Sequence, residues 1–273
     1  MSSPPHKLQK LAPYILHYWG GIPGRGEYVR LAFEYAGVSY TDSNDSAKLL
    51  KTLRSTSPSH FAPPMLELPN GKILSQTPAI LNYLAPKLGL AGEKGNLLKN
   101  AVEDDDEREE AEFERSIVNQ LVLTALDLCV EAHDSHHPIA SSLYYEDQKQ
   151  EALRRAEDFL KLRIPKYLAH FEETLRKNKV SHSHLVGKTT TTADLVLFHV
   201  VDGLLYAFPR RMGALDKGGK YKRVLKLHEK IMAEGGIKEY VESGRRRKFG
   251  VGLFRHYPEL DGEDEDTIEP EKE

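Results

Sequence analysis

The chain of 273 residues contains one cysteine, Cys129, and one tryptophan, Trp19. A single cysteine can form neither an intrachain disulfide nor a Cys-x-x-Cys redox pair, so dithiol redox chemistry is excluded. The sequence also lacks an uninterrupted apolar run of about 18 residues, the length that a membrane-spanning helix requires. We therefore expect no membrane partner.

Neither sign of charge dominates the sequence. Lysine and arginine number 38 and aspartate and glutamate 41, a formal net charge of −3 that does not indicate a nucleic-acid surface. The N-terminal segment is too polar to resemble a signal peptide, so we expect a cytoplasmic protein. A hydrophobic content of 40% is enough for two modest domains that share an interface.

The most informative segment runs from Phe61 to Pro86. It contains two short apolar runs, Met65 to Leu68 and Ile73 to Leu74, with a Pro-Asn-Gly sequence between them. Because asparagine and glycine tolerate the positive φ that tight turns require, this spacing predicts a β-hairpin.

A helix is predicted directly after the hairpin. Thr77 is a favourable capping residue and Pro78 a favourable first helical residue, because the first N–H group of a helix has no intrahelical partner. The free N–H groups and partial positive charge of this helix start, together with the Gln76 amide and the Thr77 hydroxyl, are suited to hold a carboxylate.

Pro64 constrains the first strand of the hairpin, because a proline cannot donate to the ladder and must lie at an edge or at the first residue. We expect a cis peptide bond before Pro63 or Pro64. In that geometry the N–H and C=O of Met65 are expected to be free to pair with an extended peptide. From these residues alone, an ordinary edge hairpin followed by a capped helix is the alternative.

A strand, a glycine-rich turn and a helix precede the hairpin. The strand runs from Tyr14 to Trp19, the turn from Gly20 to Glu27, and the helix carries an apolar face that includes Val29 and Phe33. This order of elements resembles the thioredoxin-like N-terminal domain of cytosolic glutathione transferases, particularly the tyrosine-type mu and sigma classes.

Four blocks carry the resemblance in the order and with the spacing of the family. They are HYW at 17–19, GRGEYVRLAFEYAGVSY at 24–40, APPML at 62–66 and SQTPAILNYLAPKLGLAGE at 75–93. A fungal source is a further hypothesis from this resemblance.

The resemblance implies two catalytic residues. Tyr18 matches the tyrosine whose hydroxyl stabilises the glutathione thiolate, and Arg25 matches an arginine whose charge favours the anion. A free thiol with a pKa of about 8.5 is only a few per cent ionised at neutral pH, and each unit of pKa depression requires about 1.4 kcal/mol. Without the resemblance, we would interpret Tyr18 as an ordinary half-buried tyrosine of a strand.

The resemblance also implies a set of glutathione-binding residues. Gln76 and Thr77 match the pair that holds the γ-glutamyl carboxylate, with threonine replacing the usual serine. Met65 matches the residue whose backbone pairs with the cysteinyl unit, Pro64 matches the cis-proline, and Trp19 lies beside the catalytic position.

The glycyl carboxylate has no single match. The mu and sigma classes place a tryptophan and a lysine after the second strand, whereas this sequence offers only basic residues, of which we choose Lys51 or Arg54. The partner-subunit carboxylate of some members also has no match, because Asn119 or Leu123 falls there. The turn after Tyr18 is longer than in those classes, which could move Arg25.

The second half of the sequence is predicted to be helical. Gly89 to Asn96 is predicted to be a flexible linker. Apolar residues then recur at three- and four-residue steps from Val118 to Cys129, and again from Leu153 to Leu175, where Pro165 bends or interrupts the helix. The segment Thr191 to Asp194 is a capping box that opens an almost wholly apolar, central helix, in which we interpret the aspartate as a folding residue.

Two clusters have a functional and a structural interpretation. His133, Asp134, His136 and His137 could hold a metal, but nothing else completes a ligand set, so we expect a solvated loop and no metal. The run from Arg245 to Lys248 could be a nucleic-acid patch, but we expect exposed charges at a helix end.

The C-terminal region follows these clusters. Phe249 to Tyr257 is an aromatic stretch that either packs against the domain or, as the resemblance implies, forms a wall of the electrophile site. The acidic tail that follows is predicted to be disordered.

We therefore predict a thioredoxin-like α/β domain over 12–92, an all-α domain over 100–258 and an acidic, disordered tail over 259–273. The expected reaction is attack of bound glutathione thiolate on a small apolar electrophile, by a homodimer that serves detoxification. The alternatives are a glutathione-dependent isomerase and a non-catalytic glutathione- or ligand-binding protein, such as the lens crystallins and fungal regulators that resemble this family.

Overall fold

A four-stranded mixed sheet organises the first half of the protein. The computed structural model describes residues 13–97 and 104–262. The strands are Tyr14–His17 (β1), Tyr40–Ser43 (β2), Met65–Glu67 (β3) and Ile73–Ser75 (β4), in the order β2-β1-β3-β4. β1 is parallel to β2 and antiparallel to β3, and β3 is antiparallel to β4.

The helices of this half are Glu27–Ala36 (α1), Ser46–Ser55 (α2) and Thr77–Leu88 (α3). α1 is the crossover between the parallel strands β1 and β2, as such a pair requires. One face of the sheet forms a core with α1 and α3, in which Leu16, Leu66, Phe33 and Ile80 are fully buried.

The predicted β-hairpin is confirmed. The Leu68 N–H donates to the Lys72 carbonyl at 2.8 Å and the Gly71 N–H donates to the Leu68 carbonyl at 2.8 Å. Gly71 has a φ of +78°, which a glycine adopts without steric cost.

The second half is all-helical. Its helices are Asp105–Asp134 (α4), Lys149–Asp158 (α5), Ile164–Lys177 (α6), Thr192–Ala207 (α7), Pro209–Lys217 (α8), Lys222–Ala233 (α9) and Gly235–Glu242 (α10). The predicted order of an α/β domain and an all-α domain is thereby confirmed, whereas the domain boundaries stay a prediction.

Helix α7 is the central element of the all-α half, as the sequence predicts. The Thr191 side chain and backbone both donate to the Asp194 carboxylate, at 2.7 and 2.8 Å, and the Leu185 N–H donates to its other oxygen at 2.8 Å. This capping box holds the helix start inside the core, where α7 packs against α1, α4 and α9. Burial raises the pKa of Asp194 to about 6.

The second predicted helical run is interrupted. A π-helical turn, Phe159–Arg163, separates α5 from α6, and Pro165 lies in the first turn of α6, where a proline costs no hydrogen bond. Because the π turn shifts the helical phase, Leu153 remains 39% exposed instead of sharing the buried face of Leu168 and Phe171.

The predicted flexible linker is a packed segment. Leu90 and Ala91 are buried. The Ala91 N–H donates to Asn96 Oδ1 at 2.8 Å, and the Gly95 N–H donates to Glu114 Oε2 at 2.7 Å. The prediction of flexibility was wrong because these partners lie within the loop itself and on α4.

The basic run after α10 joins the two halves of the molecule. The prediction of exposed charges is correct for Arg245 and Lys248 but was wrong for Arg246 and Arg247, which are half-buried. Arg245 pairs with Glu34, and Arg247 pairs with Asp42. Arg246 donates to Glu27 at 3.3 Å and to Asp202 at 2.7 Å. These ion pairs connect the C-terminal segment to α1, β2 and α7.

The first four residues of the predicted disordered tail, 259–262, pack against the helical half. Leu260 and Asp261 are buried, and the Asp261 carboxylate accepts the N–H groups of Arg210 and Arg211 at the start of α8. Residues 259–262 are therefore fixed by the fold, because an acidic side chain compensates a helix N-terminus. The rest of the tail, 263–273, lies outside the described residues.

In the described ranges no single helix is long and apolar enough to cross a membrane. Only α7 and α8 taken together pass that test, across a bend of 111°.

Replacing Arg246 tests the connection between the two halves. Arg246→Gln leaves Glu27, which is fully buried, and Asp202 with one cation fewer, so we expect the free energy of unfolding to fall by about 3 kcal/mol. Arg245, whose side chain is 52% exposed, provides the matched control, and Arg245→Gln should cost about 0.5 kcal/mol. Urea denaturation measures both, and equal losses in the two variants would contradict the account.

Candidate functional site

Tyr18 lies at the end of β1 against the turn that starts α1. Its side chain is only 6% exposed, and its hydroxyl oxygen accepts the backbone N–H of Arg25 at 2.8 Å. A Cβ atom at Gly24 would lie 2.3 Å from this hydroxyl, and one at Gly26 would lie 2.7 Å from the Tyr18 ring. The two glycines therefore allow the ring to lie directly on the turn.

The surroundings of Tyr18 keep its proton in place. Burial raises the pKa of Tyr18 above its ordinary value, while the Arg25 N–H and the charges of Arg25 and Arg30 act in the opposite direction. At neutral pH the hydroxyl therefore stays protonated. The oxygen of this hydroxyl already accepts one hydrogen bond from the turn. Its O–H group is therefore available to donate a hydrogen bond to a further acceptor.

Thr77 also forms a hydrogen bond with the turn that contacts Tyr18. It is buried at the start of α3, and its hydroxyl donates to the Arg25 carbonyl at 3.4 Å. The backbone of Arg25 thus binds Tyr18 through its N–H and Thr77 through its C=O. The helix begins at Thr77 and not at Pro78, with Gln76 in the capping position, a shift of one residue from the prediction.

Gln76 has an unusual backbone conformation. With φ at +72° and ψ at +118° it is the only non-glycine residue with positive φ among those described. Residues with a side chain adopt such angles at a cost of about 1 to 3 kcal/mol, and they concentrate at binding and catalytic sites. The conformation leaves the Gln76 side chain exposed at the N-terminus of α3.

The cis-proline is found where it was expected. The Pro63–Pro64 peptide bond is cis, and Pro64 is buried directly before β3. The structure therefore confirms one of the two bonds that the sequence offered.

Met65, in contrast, does not have the free backbone that was expected. It lies between His17 of β1 and Ser75 of β4. Backbone groups in an antiparallel strand alternate in direction, and Leu68 directs its groups to β4, so Leu66 does the same while Met65 directs its groups to β1. The error arose because the sequence does not show that β3 is an inner strand of the sheet.

The remaining predicted binding residues are Trp19, Lys51 and Arg54. Trp19 is half-buried next to Tyr18. Lys51 and Arg54 are exposed on α2, and within the described part of the chain neither forms an ion pair. The structure brings Tyr18, Arg25 and Thr77 together by direct hydrogen bonds, but it does not choose between Lys51 and Arg54.

The histidine cluster is buried, so the prediction of a solvated loop was wrong. His136 and His137 are 1% and 7% exposed, and the rings of His133, His136 and His137 lie within 5.0 Å of one another between centroids. The C-terminal segment covers them, since His136 Nε2 bonds the Leu253 carbonyl at 3.2 Å. No group of three or more side chains suited to a metal occurs in the residues that the structure describes.

The C-terminal aromatic segment connects α7 to the Tyr18 turn. Phe249 stacks on His199 and Tyr206, with centroid distances of 5.4 and 5.2 Å. Phe254 fills the space over Gly203, where a Cβ atom would lie 2.4 Å from its ring, and a Cβ atom at Gly252 would lie 4.0 Å from Ile22 Cδ1 of the turn. The two interpretations of this segment are compatible, because it packs on the domain and also reaches the turn.

Comparison with known proteins agrees with this architecture. Residues 133–244 match the family model described as "Glutathione S-transferase, C-terminal domain". The chain is also 30% identical over 187 residues to glutathione S-transferase 1 of Ascaris suum, an alignment that covers 67% of this chain and 76% of that protein. The chain belongs to the glutathione S-transferase family. It is thus a member of a family of enzymes.

Two further similarities extend over most of the chain. Glutathione S-transferase of Plasmodium falciparum (isolate 3D7) is 24% identical over 238 residues, which covers 83% of this chain and 94% of that one. The structure of prostaglandin synthase D of Nilaparvata lugens is 20% identical, with a TM-score of 0.61 and coverage of 88% of this chain and 100% of that one. The second supports the fold alone. The tyrosine-type class and a fungal source stay hypotheses.

Substitutions at Gln76 test whether its backbone is strained. We expect Gln76→Gly to raise the free energy of unfolding by about 1 kcal/mol, because glycine adopts φ near +72° without a steric penalty. Gln76→Ala removes the same side chain but keeps the penalty, so it should give no gain. Chemical denaturation compares the two variants, and equal stabilities would show that the angle carries no strain.

Proposed function

We propose that this family member is a glutathione transferase that joins the glutathione thiolate to small apolar electrophiles. One observation carries the proposal: the Tyr18 hydroxyl is held by the Arg25 N–H while its proton remains free, and Arg25 also binds Thr77 at the start of α3. The backbone of Arg25 thus fixes both Tyr18, the donor for sulfur, and the N-terminus of α3, the site for a carboxylate.

In the proposed mechanism Tyr18 donates its hydroxyl hydrogen to the glutathione sulfur. This bond stabilises the thiolate more than the thiol, so the thiol releases its proton to solvent at a lower pH. The sulfur lone pair then forms the new C–S bond, and the electrophile expels its leaving group or takes the electron pair onto a conjugated oxygen. The exposed cationic side chain of Arg25 also favours the anion.

We propose that the γ-glutamyl carboxylate lies at the N-terminus of α3, where Gln76 supplies its side-chain amide and Thr77 its backbone N–H, since the Thr77 hydroxyl proton is donated to the Arg25 carbonyl. Since the Met65 backbone is used by β1, the backbone group beside the cis bond that remains for the cysteinyl unit is the Pro63 carbonyl. Pro63 has no N–H, so this contact is limited to one accepted hydrogen bond.

The outer contacts of glutathione are also proposals. The half-buried Trp19 is assigned to the wall of the glutathione site, and Lys51 or Arg54 to the glycyl carboxylate. A detoxification role and a cytoplasmic location complete the proposal. A glutathione-dependent isomerase and a non-catalytic binding protein remain the alternatives.

We propose a homodimer in which Phe61 is covered by the partner subunit. Phe61 is 92% exposed in the loop before the cis-proline. Phe113 and Leu123 of α4 are also exposed, at 68% and 44%. A phenylalanine so exposed beside a binding site is typical of a protein interface.

The conservative variant Tyr18→Phe tests the assigned hydrogen bond. We expect kcat/KM for glutathione and 1-chloro-2,4-dinitrobenzene to fall about 100-fold, the usual loss when one preorganised donor to a developing charge is removed. Tyr28→Phe is the matched control, because its fully buried hydroxyl lies against Cys129 and makes no hydrogen bond to the turn, and its rate should stay near that of the wild type. Equal rates for wild type and Tyr18→Phe would contradict the assignment.

The dimer is tested by the mass of the protein in solution. Phe61→Ser should shift sedimentation equilibrium from dimer to monomer at micromolar concentration, because the substitution removes the most exposed aromatic surface. Leu162→Ser, on the π turn and 64% exposed, should leave the mass unchanged. A monomeric wild-type protein would overturn the proposal directly.

A further inference from the structure

A group of basic side chains lies beside the Tyr18 turn, and none of them takes part in the mechanism described above. We call it the His-Arg patch, and its members are His133, His136, His137 and Arg255. The histidines end α4 and begin the turn after it, and Arg255 comes from the C-terminal segment. Arg255 Nε donates to the Gly252 carbonyl at 3.3 Å, and a Cβ atom at Gly252 would lie 4.0 Å from Ile22, three residues before Arg25.

The hydrogen bonds of the patch determine where the imidazole protons lie. Because a carbonyl only accepts, His136 must donate from Nε2 to Leu253 O. Burial lowers the pKa of His136 to about 3, so its Nδ1 carries a lone pair and accepts the Nδ1 proton of His137 at 2.5 Å. The chain of bonds fixes the segment that carries Arg255 to the end of α4.

The imidazoles therefore position the segment, while the guanidinium groups supply the charge. Burial lowers the pKa of His133, and Arg255 and Arg25 lower it further, as expected between two cations. Two carboxylates lie nearby. Glu259 accepts the Tyr145 hydroxyl at 3.0 Å, whereas Asp134, which is 45% exposed, lies 3.4 Å from His133 Nδ1 and raises the pKa of that imidazole. Arg255 and Arg25 are the two cations that act on His133 from this side of the turn.

The same region offers an apolar surface. Ile22 is half-buried in the turn and Val251 is 59% exposed on the segment next to it. An electrophile that reaches the glutathione sulfur at Tyr18 would therefore meet this apolar surface and the Arg255 guanidinium. A guanidinium binds a carboxylate with two parallel hydrogen bonds, which a neutral group cannot reproduce.

We propose that Arg255 determines electrophile specificity, and that the preferred electrophiles are apolar molecules that carry a carboxylate. The inference rests on the proposed transferase function and narrows the substrate class of the same site. Arg255 acts on binding and orientation of the electrophile, and Tyr18 acts on the sulfur.

A matched pair of electrophiles tests this inference. 4-Chloro-3,5-dinitrobenzoate and its methyl ester undergo the same displacement of chloride by the thiolate but differ in charge. For each compound, kcat/KM is divided by the rate constant of the uncatalysed reaction with glutathione, and the two normalised values are compared. We expect the wild-type protein to prefer the carboxylate by about tenfold, as for one hydrogen-bonded charge pair.

Variants of the C-terminal segment assign the preference to a residue. Arg255→Gln should lower the carboxylate preference about tenfold and leave the ester rate almost unchanged, whereas Arg255→Lys should restore part of the preference. Lys248→Gln makes the same change of charge at an exposed position of the same segment and should keep the wild-type preference. Circular dichroism confirms that each variant is folded.

The possible outcomes separate the inference from the function. Turnover of both compounds without a carboxylate preference, or equal losses for both in Arg255→Gln, would overturn the role of Arg255 and leave the transferase function standing. A loss of preference in Lys248→Gln as large as that in Arg255→Gln would show a general charge effect and also overturn it. Turnover of neither compound, nor of 1-chloro-2,4-dinitrobenzene, would overturn the function itself.

Discussion

The candidate site depends on the backbone of one residue, Arg25. Its N–H binds the Tyr18 hydroxyl at 2.8 Å and its carbonyl accepts the Thr77 hydroxyl at 3.4 Å. The hydrogen bond from Arg25 leaves the Tyr18 proton for an acceptor, and the bond from Thr77 places the start of α3 beside it. The proposed donor for sulfur and the proposed carboxylate site are therefore held in one geometry by hydrogen bonds to the same backbone unit.

The position of that backbone is in turn fixed by a buried ion network. Arg30 donates to the Pro23 carbonyl at 3.0 Å and to Glu27 at 3.1 Å, and its guanidinium lies 5.7 Å from the centre of the Tyr18 ring. Glu27 also accepts from Arg246 of the C-terminal segment. The helical half of the protein thus supports the turn that holds Tyr18.

Local signals made several parts of the fold predictable from the sequence. The Pro-Asn-Gly turn, the capping box at Thr191 and the proline at the start of α3 each act within a few residues, so their patterns predict the structure directly. Tyr18, Arg25, Gln76 and Thr77 were identified through blocks that resemble a family, and the hydrogen bonds that join three of them became visible only in the structure.

Most of the errors share one physical cause, since they depend on a partner that is distant in sequence. Arg246 is separated from Glu27 by 219 positions, and His136 from Leu253 by 117, so no local pattern could show that these side chains are buried and paired. Met65 was misread because the hydrogen-bonding direction of a strand depends on which strands flank it. Arg255 was overlooked because it lies in a segment whose position was left open.

The central claim is that the Tyr18 hydroxyl stabilises the glutathione thiolate, and titration of the bound thiol tests it most directly. The ultraviolet absorbance of the thiolate, followed against pH with the site saturated, gives the pKa of the bound thiol. The account predicts a pKa at least one unit below the free value of about 8.5 in the wild-type protein, and a return toward that value in Tyr18→Phe. A bound thiol that titrates as it does in free solution would contradict the account.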